Sequence, residues 1–346
     1  MKVEAMSRGQ TTNRIKSIDE LVSEWTQRTE FDLELASLRD LIRFLGNELY
    51  SQYEPFIQKP PFWERLAAWV NNVKTAKDQQ ALFRLVPWLL FVGKSELHSM
   101  YESAFRGPIT RWLIDSACLD IKDPAIGSKL ADEVRHTWFG SLAGMDLGSF
   151  MRINGIEEQS LRPDFRVLLE LGDAEQFDKY VYAVKNNGDR CYRRIVAVDD
   201  FVGSGTQMTK AAKGVGHLED TPVLICPMIS ADEGCKAGKQ LRKQYSHLDF
   251  QEYYRISSSA RLRPRTADGE IHKDLAAVSE IIESTWELLK RPENYDKPYG
   301  FGDMGILVLT YLNCPNNVPP ILHRMADETA SAGKWMPLFP RANRET

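Results

Sequence analysis

Apolar and polar residues alternate with two different periods along this 346-residue chain. From residue 17 to about 130 the apolar positions recur every three or four residues, the spacing of one helix face. Ser17-Ile18-Asp19-Glu20 reads as a capping box, and Ile18, Leu21, Val22 and Trp25 form the stripe of the helix it starts. Leu35, Leu38, Ile42, Leu45 and Leu49 predict a second helix over Asp32 to Gln52. Pro60-Pro61 breaks the pattern, and Phe62, Leu66, Trp69 and Val70 resume it. Further helices are predicted over about 78–91, 95–105 and 109–119, the last two separated by Gly107-Pro108. No strand alternation is convincing before residue 130.

The second regime begins after Pro124. A helix of about ten residues leads to a strand at Thr137–Ser141, then a loop, then a helix carrying Leu147, Phe150, Met151 and Ile153. Phe165–Leu171 fits strand or helix, Gln176–Lys185 a helix, and Asn186-Asn187-Gly188-Asp189 a turn. Ile195–Val198 is a buried strand, followed by a helix over Thr206–Lys213. Strand Val223–Ile229, helix Asp232–Tyr245 and strand Phe250–Ile256 continue the alternation. Helix Lys273–Leu289 and a last strand at Ile306–Leu312 complete it. The fold class is therefore α/β, a parallel doubly wound sheet preceded by an all-helical region. The expected organisation is a mobile tail (1–16), a helical region (17–130) and an α/β domain (131–346). The apolar closing stretch Trp335-Met336-Pro337-Leu338-Phe339-Pro340-Arg341 is expected to pack on that domain.

Composition narrows the function classes. A net charge of −4 argues against a protein coated in basic residues for nucleic acid, and leaves room for a local basic patch. The five cysteines show no CxxC pair and no metal-ligand spacing, which suits reduced thiols and a cytoplasmic protein. No apolar run is long enough for a membrane span, and the polar N-terminus is not a signal peptide. The tryptophans of the helical region (Trp25, Trp63, Trp69, Trp88, Trp112) fill its core, or that region is a winged-helix or other nucleic-acid-binding head.

The densest chemistry lies in Ile195-Val196-Ala197-Val198-Asp199-Asp200-Phe201-Val202-Gly203-Ser204-Gly205-Thr206-Gln207. Four apolar residues suit a central parallel strand, and ligands of open α/β sheets bind beyond the carboxyl ends of the strands. Asp199 and Asp200 stand at that end. Gly203, Ser204 and Gly205 leave the backbone open to a ligand, and the helix from Thr206 offers N–H groups and a positive dipole end to an anion.

This strand, acid pair and G-S-G-T loop resemble the phosphoribosyl-diphosphate signature of type I phosphoribosyltransferases. The resemblance implies that Asp199 and Asp200 engage the ribose hydroxyls and support charge at the anomeric carbon, the catalytic role. It gives Gly203, Ser204, Gly205 and Thr206 the 5-phosphate, and it implies Mg²⁺ carried on the diphosphate and ribose oxygens, with no metal ligand from the protein alone. It also places a pyrophosphate loop after the first strand, where Ser141, Leu142, Ala143 and Gly144 stand, beside Asp146. The basic hood loop of the salvage enzymes is not found before the signature strand. The Arg261/Arg263/Arg265 loop either brings positive charge from the other side or is a solvated surface loop.

The C-terminal stretch resembles a subfamily of phosphoribosyltransferase-like proteins found in bacterial conflict and antiphage systems, some beside a retron reverse transcriptase. The residues that carry this are Tyr299-Gly300-Phe301-Gly302-Asp303, Asn313-Cys314-Pro315-Asn316-Asn317 and the closing stretch. Asn316 and Asn317 either read a base edge or cap a turn before Pro319-Pro320, and His323 is a proton donor or a structural residue. The expected function is a defence effector that binds phosphoribosyl diphosphate or a nucleotide and acts at the ribose anomeric carbon. The alternative is a non-catalytic sensor, or a subunit that binds nucleic acid or a reverse transcriptase and its DNA.

Overall fold

The computed structural model of the chain describes residues 15–26, 33–56, 60–142, 145–156, 178–179, 181–182, 191–256, 261–262, 273–289, 296–325 and 335–341. Among them are strands β1 (Leu90–Val92), β2 (Thr137–Ser141), β3 (Arg194–Val202), β4 (Val223–Ser230), β5 (Leu248–Phe250), β6 (Tyr254–Arg255), β7 (Asp296–Lys297), β8 (Gly300–Phe301) and β9 (Val308–Thr310). The predictions for Phe165–Leu171 and Asn186–Asp189, and most of that for Gln176–Lys185, lie outside the described residues.

β2, β3, β4 and β5 form a parallel sheet in that order, and β6 continues the pairing along the far end of β4. The predicted strand Phe250–Ile256 is thus two short pieces, both paired to β4. The near-continuous apolar runs of β3 and β4 follow from burial on both faces, with successive side chains pointing to opposite sides. Ile195, Ala197, Val223 and Ile225 join Trp138 in a core closed by helices Thr206–Gly214 and Asp232–Gln244, through Met208, Ala211, Cys235 and Leu241. Val196, Val198, Leu224, Cys226 and Met228 lie in the opposite core with Phe139. There they meet Leu97 and Tyr101 of helix Lys94–Ala104 and Phe150 and Met151 of helix Leu147–Ile153. Helices on both faces of a parallel sheet make this the expected α/β architecture, with the helical region before it.

The helical region begins as its sequence dictates. The Ser17 amide donates to Glu20 Oε2 at 2.8 Å and the Glu20 amide to Ser17 Oγ at 3.2 Å, the reciprocal bonds of a capping box ahead of helix Ile18–Thr26. Gly107-Pro108 does not end a helix. The chain widens into one π-type turn at Phe105–Ile109 and continues to Ser116, with the Thr110 hydroxyl donating to the Phe105 carbonyl at 2.7 Å. The wide turn absorbs the proline that a regular helix would reject.

One strand breaks the all-helical pattern. β1 pairs in parallel with β9, apart from the main sheet. Three residues are too few to display a period of two, and the strand exists because a partner over two hundred positions away supplies its hydrogen bonds. The C-terminal stretch is held against these same elements. Phe339 is fully buried between Tyr50 and Tyr53, with ring centroids at 5.4 and 5.3 Å. Tyr53 Oη donates to the Pro340 carbonyl at 3.0 Å, and Arg65 Nε to that of Leu338 at 3.2 Å. Trp69 and Trp335 both donate their indole N–H to the Ile321 carbonyl, at 2.8 and 3.0 Å. The closing stretch therefore packs on the N-terminal helices, where aromatic side chains form a slot for it. Among the described residues, no helix is long and apolar enough to cross a membrane.

Candidate functional site

A cleft of about 300 Å³ opens where β3 ends. Asp199, Asp200 and the loop through Thr206 line one side. Across it stand Phe301 of β8, Thr310 of β9 and the turn holding Asn313, Asn316 and Asn317. Lys210 and Arg341 complete the lining. The sheet puts the acids here because β3 runs four residues past the end of β2 while still paired to β4, so its last turn is covered on one edge only.

The loop owes its shape to two glycines. Gly205 has φ +77°, the left-handed region, and a Cβ there would lie 2.7 Å from Cβ of Ala237. As the residue before helix Thr206–Gly214 it offers no side-chain cap. The first-turn N–H groups, which have no intrahelical acceptor, remain turned to the cleft end of the helix. Ser204 Oγ lies 2.9 Å from Thr206 Oγ1, so two hydroxyls stand together at the same end. Gly203 packs directly on the Asn317 amide; a Cβ would come within 2.5 Å of Asn317 Cγ. Asn317 is buried and donates from Nδ2 to the Phe301 carbonyl and to Met304 Sδ, both at 3.1 Å. Its side chain locks the far wall to the glycine loop. Asn316 accepts the Phe301 amide on its backbone carbonyl at 2.8 Å and lines the same wall.

The acids differ in setting. Asp199 is 6% exposed and its Oδ1 accepts the Asp200 amide at 3.1 Å. Asp200 is half-buried, and its Oδ1 accepts the Tyr101 phenol at 2.5 Å. Burial, reinforced by the Asp200 charge, holds the Tyr101 phenol well above the ordinary tyrosine range, so it stays a neutral donor.

The two described residues of the predicted pyrophosphate loop sit one strand away. Ser141 pairs with Val198, and the Leu142 amide donates to the Val198 carbonyl at 3.0 Å. The buried Ser141 hydroxyl accepts the Met145 amide at 3.0 Å, and Met145 lines the cleft. Ala143 and Gly144 lie outside the described residues. Asp146 caps helix Leu147–Ile153, accepting the Ser149 amide at 3.0 Å. Of the basic loop, Arg261 is buried in a bidentate pair with Glu233 and does not line the cleft, while Arg263 and Arg265 lie outside the described residues. His323 is buried, with Nε2 3.1 Å from the Val318 carbonyl, an arrangement that orients the ring within the core.

Sequence reasoning missed Tyr101, Lys210 and Arg341. Lys210 was accessible to it, one helical turn after Thr206 on the same face. Arg341 stood in the closing stretch with no sign of where that stretch docks, and Tyr101 lies ninety-nine positions from its partner. Lys210 and Arg341 pair with no acidic side chain among the described residues. Two carboxylates, two open cations and a helix N-terminus in one cleft suit a ligand that carries hydroxyls in its middle and anionic groups at its ends.

Such a parallel sheet, with an acid pair and a glycine loop at one strand end, defines a phosphoribosyltransferase-like protein. The family model PRTase-CE matches residues 66–341, and the chain belongs to that family. The match begins inside the helical region, at the helix that carries Trp69. Among solved structures, orotate phosphoribosyltransferase from Aeropyrum pernix is similar at 18% identity, with a TM-score of 0.21. That alignment covers 36% of this chain and 62% of the other. The comparison with curated proteins gives no match.

Proposed function

We propose that the cleft binds a phosphoribosyl diphosphate or a nucleotide, and that the protein makes or breaks a bond at the ribose anomeric carbon. The observation that carries this is the acid pair at the end of β3, joined to a small-residue loop and a helix N-terminus, with Lys210 and Arg341 on the rim. Asp199 and Asp200 accept the ribose hydroxyls, and their charge favours the positive charge that develops on the sugar as the diphosphate leaves. Gly203 to Thr206 hold the 5-phosphate with backbone N–H groups and the Ser204 and Thr206 hydroxyls. From its place in the sequence after β2, the stretch Ser141, Leu142, Ala143 and Gly144 is assigned the diphosphate, with Arg341 in the cleft lining, and Asn316 stands on the wall where a base would lie. Among the described residues no group of three or more His, Cys, Asp or Glu is arranged to hold a metal ion. Mg²⁺ would arrive on the ligand's own oxygens beside Asp199 and Asp200, where it would supply charge neutralisation for the leaving diphosphate.

The biological setting we propose is a bacterial antiphage system, with the protein as its cytoplasmic effector and in some cases a reverse transcriptase and its DNA as partners. The support is the likeness of Tyr299–Asp303, Asn313–Asn317 and the closing stretch to that subfamily. A sensor that binds without turnover is the second reading, favoured by the commitment of Arg261 to Glu233, which leaves the basic loop's first cation unavailable to a leaving group.

Calorimetry with phosphoribosyl diphosphate and Mg²⁺, on wild type and on the double variant Asp199→Asn/Asp200→Asn, tests the reading. The variant is expected to bind about a hundredfold more weakly, the loss of two charge-assisted hydrogen bonds. Nucleotide pools in cells expressing each protein separate the two readings. Pools that fall with wild type and recover with the variant identify an enzyme, and tight binding with unchanged pools identifies a sensor. No binding by wild type overturns both.

A further inference from the structure

The acid pair is supported from behind by a residue of the helical region. Tyr101 is fully buried on helix Lys94–Ala104, and its phenol donates to Asp200 Oδ1 at 2.5 Å. Its ring packs edge-on against Phe150 at 5.7 Å and beside His98 at 6.1 Å. Asn154 Nδ2 donates to its carbonyl at 3.3 Å. The helix is pinned at its start by the Lys94 amide, which donates to Gln52 Oε1 at 3.0 Å. The ring and the helix that carries it are thus held by packing and hydrogen bonds behind the acid pair.

We propose that Tyr101 is a positioning residue for the ligand site, holding Asp200 ionised and in one orientation beside Asp199. Adjacent carboxylates repel, and a hydrogen bond given to the charged form of one opposes its protonation. A buried neutral phenol does this without adding a charge that would attract the ligand's phosphates. Other charged and titratable groups surround the same spot. His98 lies on the Tyr101 helix, Asp146 and Arg152 belong to helix Leu147–Ile153 and its cap, and Tyr311 follows β9. Lys210 and Arg341 line the same cleft. Each remains in place when the phenol oxygen alone is removed, so its contribution cancels between wild type and variant.

The ligand arm of this proposal rests on the ribose-phosphate reading above, and the first measurement does not. The full chain, labelled with ¹³C at aspartate carboxyls, is titrated without ligand; Asp200→Asn identifies the Asp200 signal. Tyr101→Phe is expected to raise the midpoint of that signal by about one pH unit. Tyr101→p-aminophenylalanine, which keeps the ring and a weaker donor, is expected to fall between them and serves if the phenylalanine variant does not fold. Leu97→Ala loosens the same helix without touching the oxygen and is expected to leave the midpoint in place. An unmoved midpoint in folded Tyr101 variants, or an equal shift in Leu97→Ala, overturns the proposal.

The second measurement is calorimetry with phosphoribosyl diphosphate and Mg²⁺, where Tyr101→Phe is expected to weaken binding by about tenfold or more. Its acid-side loss of binding is expected at higher pH than in wild type. A shifted carboxyl midpoint in a protein that binds no phosphoribosyl diphosphate upholds the role of Tyr101 and overturns the ligand reading alone.

Discussion

The two faces of the main sheet are built in different ways. One is closed by helices Thr206–Gly214 and Asp232–Gln244, each lying directly between the strands it covers. The other is closed by Lys94–Ala104, which precedes the sheet, by Leu147–Ile153, and by a core that runs on to β9 and the closing stretch. The near face supplies the glycine loop and the helix N-terminus; the far face supplies Tyr101 and, through the closing stretch, Arg341. A loop that presents backbone N–H groups needs only consecutive residues. Orienting a carboxylate and placing a lone cation need side chains brought from far along the chain.

The largest expected effect tests the far face. Phe339→Ala empties the slot between Tyr50 and Tyr53 and is expected to lower stability by about 3–5 kcal/mol. Denaturant unfolding measures this, and the same variant should bind an anionic ligand more weakly because Arg341 follows two residues later. Full affinity in a destabilised variant would separate the closing stretch from the site. Gly205→Ala tests the near face. A left-handed backbone with Ala237 Cβ in the way is expected to cost about 1–3 kcal/mol and to loosen the glycine-loop end of the cleft. Unchanged stability would show that the loop is free to choose another path.

The smallest expected effect sits at the cap of a far-face helix, Leu147–Ile153. Burial pushes the Asp146 carboxyl up, but the hydrogen bonds from Ser149 and the nearby Arg152 and His98 charges outweigh it and leave the group below its ordinary 3.8. A depressed folded value means that the stabilisation is complete above the unfolded value and is lost as pH falls through the folded one. Asp146→Ala is expected to cost about 1 kcal/mol at neutral pH, as for a lost N-cap, and to cost nothing at the acid end of that window. Thermal unfolding at several pH values checks the sign; an equal loss at every pH would assign the effect to packing.

Much of the near face was legible in the residue order. The run Ile195–Val198, the acids after it and the small residues before Thr206 announce strand, strand end and helix start through local rules of burial and backbone freedom. The capping box at Ser17 and Glu20 is of the same kind. The far face was not. Leu90–Val92 reads as part of a helical stretch because its strand partner is β9, and Pro108 reads as a break because the wide turn that accommodates it leaves no sequence mark. Asn317 reads as a base contact or a turn cap, and the fold gives its amide two internal acceptors beneath Gly203. Arg261 reads as an available cation, and the fold gives it Glu233.

By itself, the order of residues determined that this protein is a parallel α/β sheet behind a helical region, with two acids and a small-residue loop at one strand end. Those features depend on neighbours within a few positions, whose sterics and hydrogen bonding are the same in any fold. Only the tertiary structure decided that Asp200 is held by a tyrosine of the helical region, that the closing stretch lies in an aromatic slot of that region, and that Arg341 shares a cleft with the acids. Those depend on which distant surfaces bury each other, and burial between distant surfaces is a property of the whole packed chain.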